Sequence, residues 1–113
     1  MSLVVLQQLF AQDVGDLIRY IYERKYKCTL GEVYRTEDQA LLYAKEGIGI
    51  KDSLHCKRLA IDICLFSPDG KYLDKTESYT EFGLFWESLN PLNRWGGHFK
   101  NADGNHFQTS DPR

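Results

Sequence analysis

Asp62 is the first residue that demands a chemical explanation. It lies inside Leu59–Phe66 (LAIDICLF), the most apolar strand-like run of the chain. An unpaired carboxylate there costs several kcal/mol or takes up a proton, so something cationic should meet it. Lys57 or Arg58 could do so in a structural ion pair, and a metal ion is the sharper alternative. His55 stands seven residues before Asp62, and the two other histidines, His98 and His106, lie near the C-terminus. Catalytic zinc commonly takes three protein ligands of His and carboxylate type and leaves a fourth position for water. His55, Asp62 and one later His would make that set, although a lone His is more often a satisfied core or surface residue.

Two further residues could act beside such a centre. Asp103 stands three residues before His106, a spacing that can bring a carboxylate within reach of the water as a general base. The plainer alternative is that Asp103-Gly104-Asn105 only makes a turn. Arg35 follows a strand-like run and directly precedes a capped helix, so its planar fork could reach a peptide carboxylate or carbonyl oxygen. A surface salt bridge is the commoner fate of an Arg. Cys56 adjoins His55, but no second thiol at ligand spacing supports a thiolate site, and all three cysteines read as ordinary residues.

The elements that must position these groups are legible as periodicity. Leu6, Leu9, Phe10, Val14, Leu17, Ile18 and Ile21 recur at three and four residues, as on one face of a long helix. Cys28–Tyr34 reads as a short strand, and Thr36-x-x-Gln39 as a capping box opening a helix through Lys45, with Gly47 as its stop. Leu59–Phe66 is a strand ended by Pro68-Asp69-Gly70, with Lys71–Leu73 as its hairpin partner. Ser78-x-x-Glu81 is a second capping box, and Tyr79, Phe82, Trp86 and Leu89 line a helix that Asn90-Pro91 terminates. His106–Thr109 reads as a final strand. Helices and strands mix without regular alternation, which predicts an α+β fold with a small antiparallel sheet and flanking helices.

Composition sets the outer limits. The chain has 113 residues and a formal charge of −2, and 42% of it is hydrophobic, with two Trp, seven Tyr and six Phe. That is enough for one domain with its own core. The weakly acidic balance argues against nucleic acid as the main partner. No run is long and apolar enough to span a membrane, and Gln7 and Gln8 break the N-terminal apolar stretch, unlike a signal peptide. Three cysteines at irregular spacing suit synthesis in a reducing cytoplasm.

Ser53-Leu-His55-x-x-x-x-Ala60-x-Asp62 resembles the SxHxxGxAxD signature of the M15 zinc peptidases. That family comprises D-alanyl-D-alanine carboxypeptidases and dipeptidases together with phage L-alanyl-D-glutamate endopeptidases. Asp103-x-x-His106, followed by Phe107, resembles its (D/E)xxH signature. Glu32-Val-Tyr-Arg35-Thr resembles its YRS/YRT segment, and Trp95-Gly-Gly-His98-Phe99 its WGGDF segment. The likeness runs from about Leu17 to Gln108. Two departures stand out. His98 occupies the place of an Asp, where it could alter a hydrogen bond at the site or compete as a ligand. Arg58 and Leu59 stand where the signature often carries Gly.

The resemblance implies zinc held by His55, Asp62 and His106, with Asp103 as the base that activates water and passes its proton to the leaving amine. Arg35 would position substrate or stabilise the oxyanion, and Ser53 would support the loop that carries His55. It further implies the hedgehog-like DD-peptidase fold over residues 1–113 as a single domain. The expected activity is cleavage of peptidoglycan stem peptides, between L-Ala and D-Glu or at a D-Ala-containing bond. A monomeric phage or prophage endolysin is expected, made in the cytoplasm and released to the wall by a separate membrane-permeabilising protein. The competing expectation is a zinc-stabilised module that binds peptide without cutting it.

Overall fold

The periodic stripe that starts the chain forms a helix, α1 (Leu3–Glu23), in the computed structural model, which describes residues 1–50 and 52–113. The Ser2 hydroxyl accepts the Val5 N–H at 3.3 Å to cap it. Leu6, Phe10, Leu17 and Ile21 are its buried face. Lys25, at φ +70°, ends the helix in a left-handed turn, and the Tyr26 N–H closes on the Ile21 carbonyl.

Strand β1 covers only Lys27–Leu30, shorter than the expected run to Tyr34. Past Leu30 the chain departs from regular pairing. The Gly31 N–H donates to the Asp62 carbonyl and the Asp62 N–H to the Glu32 carbonyl. This approach is so close that a side chain at Gly31 would press on Asp62 at 3.1 Å. Helix α2 (Glu37–Lys45) begins as the sequence implies, with Thr36 Oγ1 accepting the Gln39 N–H at 3.1 Å. A single 3-10 turn, Leu54–Lys57, leads into β2 (Ala60–Phe66).

β2 is the centre of a five-stranded antiparallel sheet with order β1-β2-β5-β4, and β3 (Tyr72–Leu73) also pairs with β2. The hairpin between β2 and β3 turns at Gly70, φ +90°. β4 (Asn93–Trp95) was not legible in the sequence, because three residues just past a proline show no period of their own. β5 is His106–Thr109. Alternation along β2 buries Ile61, Ile63 and Leu65 and turns Asp62, Cys64 and Phe66 to the other face.

Helix α3 (Thr80–Leu89) corrects one expectation. It follows a 3-10 turn, Thr76–Tyr79, and no side chain caps it. The Glu81 carboxylate instead accepts the Tyr20 hydroxyl at 2.7 Å and Arg24 Nε at 2.6 Å, tying α3 to α1. These tertiary partners displace the local Ser78–Glu81 box. The stop at Asn90-Pro91 is as read: Asn90 is extended, and its side-chain oxygen accepts the Leu92 N–H. The core packs α1 and α3 onto one sheet face, with Trp86 edge-on to Phe10 and Phe107. Among the described residues no helix is long and apolar enough to cross a membrane.

Candidate metal centre and cleft

The sheet register creates the site. Asp62 of β2 is the direct partner of His106 of β5, so both side chains leave the same face, opposite the core. His55 reaches that face from the 3-10 turn before β2. Ser53 caps that turn, its Oγ accepting the His55 N–H at 3.2 Å. The turn closes at Arg58, which takes the left-handed conformation, φ +54° and ψ +39°. That backbone is the one glycine favours.

One ligand atom from each of His55, Asp62 and His106 lies within 4.8 Å of the others. Asp62 Oδ1 stands 3.4 Å from His55 Nε2 and 3.4 Å from His106 Nδ1. Two ligands each about 2.0–2.1 Å from a tetrahedral zinc ion stand about 3.4 Å apart, so these separations suit that ion. His106 Nε2 lies 2.8 Å from Gln108 Oε1. A proton there leaves the Nδ1 lone pair facing the cluster. Two imidazole nitrogens and a carboxylate oxygen are a donor set suited to zinc, and the residues fit the ion.

Electrostatics already bind the cluster together. Burial alone would raise the Asp62 carboxyl, but hydrogen bonding to His106 and His55 outweighs it and holds the group well below the usual carboxylate range. The cationic partner that Asp62 demanded is therefore neither Lys57 nor Arg58. Lys57 pairs with Asp111 at 2.9 Å, and the Arg58 guanidinium lies 4.0 Å over the Tyr34 ring.

The cluster opens into a cleft of about 760 Å³ whose walls include Arg35, Ser53, Phe99, Asp103 and Gln108. Partial burial of Asp103 pushes its carboxyl above the ordinary value. The loop carrying it is pinned from behind. The Asp103 N–H donates to the Gly96 carbonyl, the His106 N–H to the Asp103 carbonyl, and Trp95 Nε1 to the Gly104 carbonyl at 2.7 Å. Arg35 is half of an ion pair, its Nε 2.7 Å from Glu32 Oε1, but with only 13% of its side chain exposed it is no surface bridge. Arg35 is also one of the cleft's lining residues.

His98 is not brought into the cluster. Its Nδ1 lies 3.0 Å from Glu87 Oε2, which also accepts the Trp95 N–H. Glu87 and Gln108 were given no role in the sequence, and Glu32 appeared there only as part of the segment leading to Arg35. A signal existed for Gln108, since His106-x-Gln108 on a strand puts both side chains on one face. Glu87 lies eleven residues from its partner and gave none.

Residues 48–109 match the family model described as D-alanyl-D-alanine carboxypeptidase. That span holds Ser53, His55, Asp62, Asp103 and His106, while Arg35 lies outside it. Among solved structures the chain is similar to the L-Ala D-Glu endopeptidase ChiX of Serratia marcescens, with TM-score 0.64 and 21% identity over 74% of this chain and 67% of that one. At that identity the likeness speaks for the fold. No curated protein sequence matches the chain.

Proposed function

Because the chain belongs to the M15 peptidase family, whose D-alanyl-D-alanine carboxypeptidase model it matches over residues 48–109, we propose that it is a zinc-dependent peptidase of peptidoglycan stem peptides. The observation that carries the reading is the convergence of His55, Asp62 and His106 in the cleft that Arg35 and Asp103 also line. His55, Asp62 and His106 would hold the ion. Bound there, it would supply Lewis acidity toward a carbonyl and lower the pKa of a water toward about 7.

The chain's own residues do the rest. Asp103 accepts the proton of the attacking water and returns it to the leaving amine. Arg35 directs its free N–H groups at the carbonyl oxygen or a substrate carboxylate, a role worth a few kcal/mol where such donors have been removed. Ser53 keeps the His55 turn in place. The bond cut, L-Ala–D-Glu or one containing D-Ala, and an origin as a monomeric phage lysin released to the wall belong to the same proposal. They rest on the family resemblance.

Mass spectrometry of purified muropeptides after incubation with the chain tests the proposal, with zinc and with a chelator. Shortened stem peptides with zinc, and none with chelator, are expected, and the product masses identify the bond. Unchanged masses in the presence of zinc would refute the peptidase and leave a binding module. Cleavage that ignores the chelator would refute the metal.

A further inference from the structure

We infer that Glu32 is a positioning residue for the metal centre, its carboxylate serving as the acceptor that holds His55 with Nε2 turned toward the ion. This rests on the zinc reading above. The starting observation is His55 Nδ1, the one buried side-chain nitrogen or oxygen without a hydrogen-bond partner among the described residues. His55 is 3% exposed, and a buried polar group left unpaired is destabilising. Its two ring nitrogens face different carboxylates. Nε2 looks at Asp62 Oδ1 from 3.4 Å, and Nδ1 at Glu32 Oε1 from 3.7 Å.

A histidine that ligates a metal through one nitrogen carries its proton on the other and commonly gives it to a carboxylate. Glu32 supplies that carboxylate. An N–H···O bond of about 2.9 Å needs the gap to close by roughly 0.8 Å, within the reach of a small side-chain adjustment. Metal ligation makes the opposite N–H a stronger donor, which favours the adjustment.

Glu32 is well placed to hold the ring rigidly. Arg35 clamps its Oε1 from Nε at 2.7 Å and from Nη2 at 2.5 Å. Arg35 in turn lies 4.9 Å from the centre of the Tyr43 ring and donates its backbone N–H to the His55 carbonyl. The Glu32 carbonyl accepts the Asp62 N–H at 3.0 Å. One residue thus touches a second proposed ligand through its main chain and, through its side chain, meets both the cleft arginine and His55.

The test is the zinc dissociation constant of wild type, Glu32→Gln and Glu32→Ala, measured by competition with a chromogenic chelator. Circular dichroism on the same samples reports folding. Loss of such an outer partner typically weakens metal binding 10–100-fold, so that range is expected for Glu32→Ala. Glu32→Gln keeps an acceptor oxygen and should fall between the two, a partial rescue that a purely structural loss would not give. Nitrogen-15 spectra of the zinc-loaded chain add a direct readout, with a downfield His55 Nδ1–H in wild type and its loss in Glu32→Ala. If Glu32→Ala does not fold, Glu32→Gln and the wild-type Nδ1–H signal decide. Folded variants that bind zinc as tightly as wild type would overturn the inference and leave the zinc reading standing. A wild type that binds no zinc would overturn that reading, and this inference with it.

Discussion

The left-handed backbone of Arg58 can be tested by two substitutions at one site. Arg58 closes the turn between His55 and Asp62, with its N–H on the His55 carbonyl at 3.3 Å and the Leu59 N–H on the Leu54 carbonyl at 3.0 Å. At φ +54° an L-residue is strained by roughly 1–2 kcal/mol. Its exposed guanidinium, 4.0 Å over Tyr34, recovers about 0.5–1 kcal/mol. Arg58→Ala forfeits that contact and keeps the strain, so it should lose about 0.5–1 kcal/mol. Arg58→Gly forfeits the same contact but sheds the strain, less about 0.5–1 kcal/mol for glycine's larger unfolded-state entropy. Glycine should therefore be more stable than alanine by about 0.5–1 kcal/mol. For 113 residues the unfolding entropy near 60 °C is about 0.24 kcal/mol/K, so the gap is roughly 2–4 °C in Tm. Far-UV circular dichroism melts of the three proteins measure it. They should be run in chelator, so that bound metal does not add its own stabilisation. An Arg58→Gly protein that melts at or below Arg58→Ala would refute the strain assignment.

Asp103→Asn should lower turnover of stem peptides by about 10²–10⁴-fold while zinc affinity stays at the wild-type level. Assayed together by muropeptide cleavage and chelator competition, a parallel loss of both would mean that Asp103 acts on the ion rather than on the proton. Gly83→Ala places a methyl against the Trp95 ring. Overpacking of about 1–3 kcal/mol should outweigh a helix-propensity gain of about 1 kcal/mol, and a denaturant midpoint above wild type would refute that. Tyr79 is 2% exposed and its hydroxyl is pushed up to about 12 by burial. The unfolded chain therefore releases this proton first, near pH 10. The contribution is complete below pH 10 and fades as pH rises toward 12, a loss of order 2 kcal/mol. Tyr79→Phe should lack this component of the alkaline loss in urea titrations at several pH values. It should also be less stable at neutral pH, since the Leu65 N–H loses its acceptor.

Much of the fold was legible because the patterns that encode it are local. The α1 stripe, the Thr36 cap, the β2 run and the Asn90-Pro91 stop each depend on residues within a turn or two of one another. The readings that changed all had distant competitors. Ser78 and Glu81 would cap a helix in isolation, but Tyr20 and Arg24 from α1 take the Glu81 carboxylate. The strand expected to Tyr34 stops at Leu30 because the backbone of Gly31 and Glu32 is drawn onto Asp62. β4 exists only because β5 offers it a partner.

The sequence by itself determined which chemistry is available and in what order: a histidine and an aspartate in one segment, an Asp-x-x-His pair in another, and an arginine before a capped helix. The alternation of β2 and β5 that turns Asp62 and His106 off the core face is seen in the folded sheet, since LAIDICLF reads in the sequence as a nearly continuous apolar run. Tertiary structure decided the rest. It set the register that puts Asp62 opposite His106, gave Glu32 to Arg35, Gln108 to His106 and Glu87 to His98, and left His55 Nδ1 facing a carboxylate. Register depends on burying whole faces contributed by distant segments, and a slip of one residue would turn a strand's side chains to the opposite face. No local pattern carries that information.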